Sequence, residues 1–123
     1  MPKTILVVDD EINITTLLDK YLSKEGFEVL TATDGEEALR VAKEFEIDLI
    51  ILDVMMPGMD GGDVLAKIVE DIQLQNRPII FLTGLIAHDE SNVFNEKDSG
   101  HLVMSKSLDI REQVNVIKKV LDV

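Results

Sequence analysis

Apolar residues in this chain come in short blocks, separated by longer segments in which they recur every three or four positions. The blocks at 3–8, 27–32, 48–53, 77–83 and 101–105 read as strands. The first, third and fourth are nearly continuous in Ile, Leu and Val, as in Ile5-Leu6-Val7-Val8 and Leu49-Ile50-Ile51-Leu52. Strands of that kind sit in the middle of a parallel sheet, buried on both faces. The intervening segments have helical spacing. Ile14, Leu17, Leu18, Tyr21 and Leu22 form one face, and Gly26 follows where a helix would stop. Asp34 with Glu37 three residues later marks the start of a second helix bearing Ala38, Val41, Ala42 and Phe45. Asp60 opens a third with Val64, Leu65, Ile68 and Ile72, and Ile110, Val114, Ile117 and Leu121 stripe the last. Residues 87–98, with Val93 and Phe94 as their only strong apolar side chains, complete the alternation as a short helix. Five strands alternating with five helices predict one α/β domain over 1–123, with a parallel sheet, right-handed crossovers and helices on both faces.

Composition narrows the class. A chain of 123 residues is long enough for a real core. No apolar run approaches the roughly 20 residues of a membrane span. Met1-Pro2-Lys3-Thr4 leads directly into a strand rather than into the apolar stretch of a signal peptide. The absence of cysteine leaves no disulfide or thiolate metal site and fits a cytoplasmic protein. A net charge of −12 argues against a broad nucleic-acid or lipid-binding surface and favours cations or basic protein patches as partners.

Ligand sites in open parallel sheets lie beyond the carboxyl ends of the strands. Asp9 and Asp10 follow the first block, Asp53 ends the third, Thr83 the fourth, and Lys106 follows the fifth. The fold therefore predicts that these five converge. Three neighbouring carboxylates repel one another unless a cation intervenes. Hard oxygen ligands with room for water suit Mg2+, or Mn2+ in its place. An Asp carboxylate is also a nucleophile able to take a phosphoryl group, a transfer that requires positioning and neutralisation of the phosphoryl oxygens. Met55, Met56 and Met59 read as packing and loop residues rather than metal ligands, and His88 and His101 as surface residues.

Val7-Val8-Asp9-Asp10-Glu11, Leu52-Asp53-Val54-Met55-Met56-Pro57-Gly58-Met59-Asp60-Gly61, Phe81-Leu82-Thr83-Gly84 and Lys106 together resemble the signature segments of response-regulator receiver domains, in order and along nearly the whole chain. The resemblance implies a flavodoxin-like (βα)5 fold with strand order 2-1-3-4-5 and phosphorylation of Asp53 by a histidine kinase or phosphotransfer protein. It further implies that Asp10, Asp53 and the Met55 backbone carbonyl bind Mg2+ directly, that Asp9 acts through water, and that Thr83 and Lys106 contact the phosphoryl group. On this reading the domain catalyses only its own phosphorylation and dephosphorylation, switches contacts with a downstream protein, touches neither nucleic acid nor membrane, and is a monomer or weak homodimer. The last helix runs to the end of the sequence, so no output domain is expected within these residues.

Two positions depart from the family pattern. Val103 stands where an aromatic residue usually precedes the Lys by three, and Ser107 where a Pro usually follows it. Val103 cannot act as a rotamer switch. With Ser107 no cis bond is expected, because a non-proline cis peptide costs about 2.5–4 kcal/mol. These losses make a degenerate receiver, acting as a phosphorylation-independent interaction module, the principal alternative. A phosphohydrolase resembling the haloacid dehalogenase family would need a second Asp where Met55 stands, and a flavin carrier would need a Ser/Thr-rich phosphate loop after the first strand.

Overall fold

The computed structural model describes residues 2–53, 66–67, 78–83, 93–96 and 101–122; of the side chains at 93–96 and of His101 and Leu102 nothing is described. Among the described residues six strands form one sheet: β1 (Thr4–Val8), β2 (Glu28–Ala32), β3 (Leu49–Asp53), β4 (Ile79–Thr83), β5 (Val93–Glu96) and β6 (His101–Ser105). Helices α1 (Ile12–Lys24), α2 (Gly35–Glu44) and α3 (Ile110–Leu121) pack against it. Their order across the sheet is β2-β1-β3-β4-β6-β5. The five strands expected from the apolar blocks are all parallel and stand in the order 2-1-3-4-5, with β6 as the fifth.

The expected helix at 87–98 is not borne out at 93–96, which form β5, antiparallel to β6 with Val93 opposite Met104 and Glu96 opposite His101. Two adjacent apolar residues without a repeat at helical spacing give no stripe to bury, and β-branched Val and aromatic Phe favour a pleated strand.

The sheet divides the core in two. Every residue of β3 and β4 is buried. Leu6, Val8, Ile50, Leu52, Ile79, Phe81 and Val103 pack with Ala38, Val41 and Ala42 of α2. Ile5, Val7, Leu49, Ile51, Ile80, Leu82 and Met104 face the other way, against Leu18 and Leu22 of α1 and Val114, Ile117 and Leu121 of α3. Truncating one of these Leu or Ile side chains to Ala would cost about 2–5 kcal/mol.

Local signals set the helix ends. After α1, Gly26 adopts φ +94°. Its amide donates to the Ser23 carbonyl and that of Phe27 to the Leu22 carbonyl, which satisfies the last turn and buries Phe27. At α2, Asp34 Oδ1 accepts from the Glu37 amide at 2.8 Å, while Glu37 Oε1 accepts from the Thr33 amide at 2.9 Å. Two positions of the expected faces turn outward: Leu17 is 42% exposed, and Phe45, at the extended end of α2, is 50% exposed. Of the helix expected from Asp60, only Ala66 and Lys67 lie within the described residues; both are helical and exposed, and Val64, Leu65, Ile68 and Ile72 lie outside. Among the described residues no helix is long and apolar enough to cross a membrane.

Candidate functional site

The carboxyl rim is built by the strands themselves. The Asp9 amide donates to the Ala32 carbonyl at 3.1 Å, extending the β1–β2 ladder one residue past Val8. That bond seats Asp9, fully buried, above the centre of the sheet. Its Oδ1 accepts from the Glu11 amide at 2.9 Å, closing the turn that leads into α1. Asp53, the last residue of β3, is also buried and sits opposite Leu82 of β4, so buried Thr83 lies one step further along the neighbouring strand.

Lys106 reaches this rim from just beyond β6. Its amide donates to the Thr83 carbonyl at 2.8 Å, which ties the turn after β6 to the end of β4. The Lys106 ammonium then lies 3.0 Å from Glu11 Oε1, 3.1 Å from Asp9 Oδ2 and 3.4 Å from Asp53 Oδ2. Burial alone would lower the Lys106 pKa. The close carboxylates of Glu11 and Asp9, with the charges of Asp9 and Asp53, outweigh it and hold the ammonium protonated above the ordinary lysine range.

Carboxylate oxygens of Asp9, Asp10 and Asp53 lie within 4.8 Å of one another, Asp10 being the exposed member. Asp9 Oδ2 is buried and makes no aligned hydrogen bond, so its ion pair with Lys106 is a close contact of charge rather than a saturated lone pair. Hard oxygen donors clustered in this way fit a small divalent cation. Met55, whose carbonyl was expected as a further ligand, lies outside the described residues. The described structure thus brings together Asp9, Asp10, Asp53 and Lys106, with Thr83 on the adjoining strand end.

Both departures from the family pattern have a structural counterpart. Val103 is buried opposite Phe81 and packs in the cluster on the α2 face. Among the described residues no peptide is cis, as Ser107 leads one to expect. A Pro at 107 would have no amide hydrogen; Ser107 has one and donates it to Ser105 Oγ at 3.0 Å, while the Leu108 amide donates to the Ser105 carbonyl at 3.2 Å. Ser105 is fully buried. Sequence reasoning assigned no role to Ser105 or Glu11. The signal for Glu11 was its place immediately after the Asp pair; for Ser105 it was the Ser-Lys-Ser spacing, which permits a local side-chain-to-backbone turn.

The model of the response regulator receiver domain matches residues 5–118. The alkaline phosphatase synthesis transcriptional regulatory protein PhoP of Bacillus subtilis is 49% identical over 84 residues, covering 68% of this chain and 34% of that protein. The chemotaxis protein CheY4 of Vibrio cholerae superposes with a TM-score of 0.84 at 29% identity, over 98% of this chain and 99% of that one. The response regulator TrrA of Thermotoga maritima, solved in complex with Mg2+-BeF, gives a TM-score of 0.77 at 38% identity, over 96% of this chain and 98% of that one. The matches span about a third to somewhat over half the length of the curated relatives. With the strand order, the clustered carboxylates and the lysine between them in agreement, the chain belongs to the receiver domains of two-component response regulators.

Proposed function

We propose that the domain accepts a phosphoryl group on Asp53 and thereby changes which protein it binds. The observation that carries this reading is the Lys106 ammonium 3.4 Å from Asp53 Oδ2, beside the cluster of Asp9, Asp10 and Asp53. An Asp53 oxygen forms the new P–O bond while the donor's P–N bond breaks and the imidazole of a phosphohistidine leaves. Burial of Asp53 keeps competing water away from the carboxylate and strengthens its interaction with the ammonium. Lys106 lies within a short swing of one non-bridging oxygen of the incoming group, and Thr83 is the donor for another. Asp9, Asp10 and Asp53, with the Met55 carbonyl, would hold Mg2+, which when bound supplies charge neutralisation to the transferring group.

The donor is a histidine kinase or phosphotransfer protein, and the recipient of the signal is a downstream protein. The test is incubation with acetyl phosphate and Mg2+ followed by intact mass measurement. One added phosphoryl group is expected, lost with chelator and lost in Asp53→Asn; equal labelling of the Asn variant would overturn the assignment.

Val103 supports a second reading in one respect. A buried β-branched residue opposite Phe81 offers no ring to turn inward behind Thr83, so the response of residues 84–110 is expected to be atypical. Amide shifts with and without beryllofluoride measure it: a large rearrangement of that face would reject the expectation. A protein that takes up no phosphoryl group and shows no shifts anywhere would support the phosphorylation-independent module instead.

A further inference from the structure

Lys106 Nζ lies closest to Glu11, a residue outside the cluster of Asp9, Asp10 and Asp53. The three carboxylates around the ammonium differ in what they lose if it moves. The Asp9 and Asp53 side chains are 0% and 3% exposed, and a buried carboxylate deprived of its cation is strongly unfavourable. The Glu11 side chain is 60% exposed, so water replaces the lysine at little cost. When the ammonium turns toward a phosphoryl oxygen on Asp53, Glu11 is therefore the partner it gives up.

We propose that Glu11 is a positioning residue: it holds Lys106 while Asp53 is unmodified, and its release on phosphorylation passes the change to the first turn of α1. This rests on the phosphoacceptor reading given above. Glu11 is the N-cap residue of α1; its carbonyl accepts from the Ile14 and Thr15 amides at 3.0 and 3.3 Å, and its own amide is fixed by Asp9 Oδ1. Its side chain alone is thus free to respond, at a helix N-terminus where a carboxylate interacts favourably with the unpaired amides. Ile12, the next residue, is 68% exposed. The released carboxylate would alter the charge beside an exposed apolar side chain, giving a partner protein a phosphorylation-dependent surface that needs no aromatic residue at position 103.

The experiment compares acetyl phosphate labelling rates at Asp53 for the unaltered chain, Glu11→Gln, Lys106→Ala and the double variant, at fixed saturating Mg2+. Removing the competitor for Lys106 is expected to speed labelling about two- to five-fold. The gain is expected to vanish in the Lys106→Ala background. Equal or slower labelling of Glu11→Gln would overturn the proposal, as would the same gain with and without the lysine, which would mark a general effect of one fewer negative charge. A second readout needs no transfer. The 15N resonance of Lys106 Nζ is expected to move in Glu11→Gln and to stay in Glu112→Gln, an exposed acid on α3; an unmoved resonance in Glu11→Gln would also refute the holding role. Failure of the unaltered chain to label would instead strike the phosphoacceptor reading.

Discussion

The middle of the sheet's carboxyl rim and its outer edge follow different rules. In the middle, β1, β3 and β4 are buried on both faces; Asp9 directly follows β1, and Asp53 and Thr83 end β3 and β4. Their positions follow because a slip of the ladder would draw a terminal carboxylate in between the helix layers. Toward the outer edge, β6 carries Val103 and leads into a Ser-Lys-Ser turn, and β5 closes the sheet antiparallel beside it. Strands buried on both faces leave the chemistry little freedom. β5, the edge strand, has β6 as its single neighbour and tolerates a change of element type. On the function proposed above, phosphoryl chemistry belongs to the constrained region and the variable response to the edge, with Lys106 as the residue that spans both.

Lys106→Ala is the largest perturbation of that link. Losing one preorganised cation beside a developing phosphoryl charge is expected to slow transfer by about 10²–10³. Mg2+ affinity, measured by titration of the apo protein, is expected to survive because the carboxylates remain. Wild-type transfer rates in the variant would separate the two regions after all.

Next is the lifetime of the phosphorylated state. The positions two residues after Asp53 and Thr83 are Met55 and Leu85, apolar side chains that cannot orient an attacking water. Decay of the labelled protein, followed by mass, is expected over minutes to hours; completion within seconds would reject the account. Ser105→Ala acts at the edge alone. It removes the acceptor for the amide of exposed Ser107, with an expected loss of about 0.5–1.5 kcal/mol in urea unfolding. Its labelling rate is expected to fall less than that of Lys106→Ala, because the Lys106 amide keeps its bond to Thr83. A larger fall would mean that the turn, and not the strand end, aims the ammonium. Smallest is Asp34→Ala, outside the carboxylate cluster, expected to cost about 1 kcal/mol through loss of the α2 cap with labelling unchanged.

How far the sequence disclosed this arrangement follows the same contrast. Leu49-Ile50-Ile51-Leu52 announces a strand buried on both faces, so the residue after it is placed at the rim by counting alone. Asp34 and Glu37 likewise predict a helix start that the structure shows as two hydrogen bonds. Legibility fails where a residue's environment depends on distant packing. Leu17 fits the helical period but faces solvent because the stripe buried by α1 is narrower than the period permits, and Phe45 is exposed because α2 ends at Glu44 and leaves it in extended backbone. Alternation of strands and helices predicts a helix at 93–96, whereas their pairing with β6 is a non-local contact that alternation does not encode. Glu11 lay in plain view, yet its contact with a lysine 95 residues away emerges only when the rim is assembled.

The most direct test of the central claim is chemical mapping of the phosphorylated residue. Borohydride reduces an aspartyl phosphate to homoserine, and peptide sequencing by mass then locates it. Homoserine is predicted at position 53 and nowhere else after treatment with acetyl phosphate and Mg2+. Homoserine at Asp9 or Asp10, or an unreduced chain throughout, would contradict it.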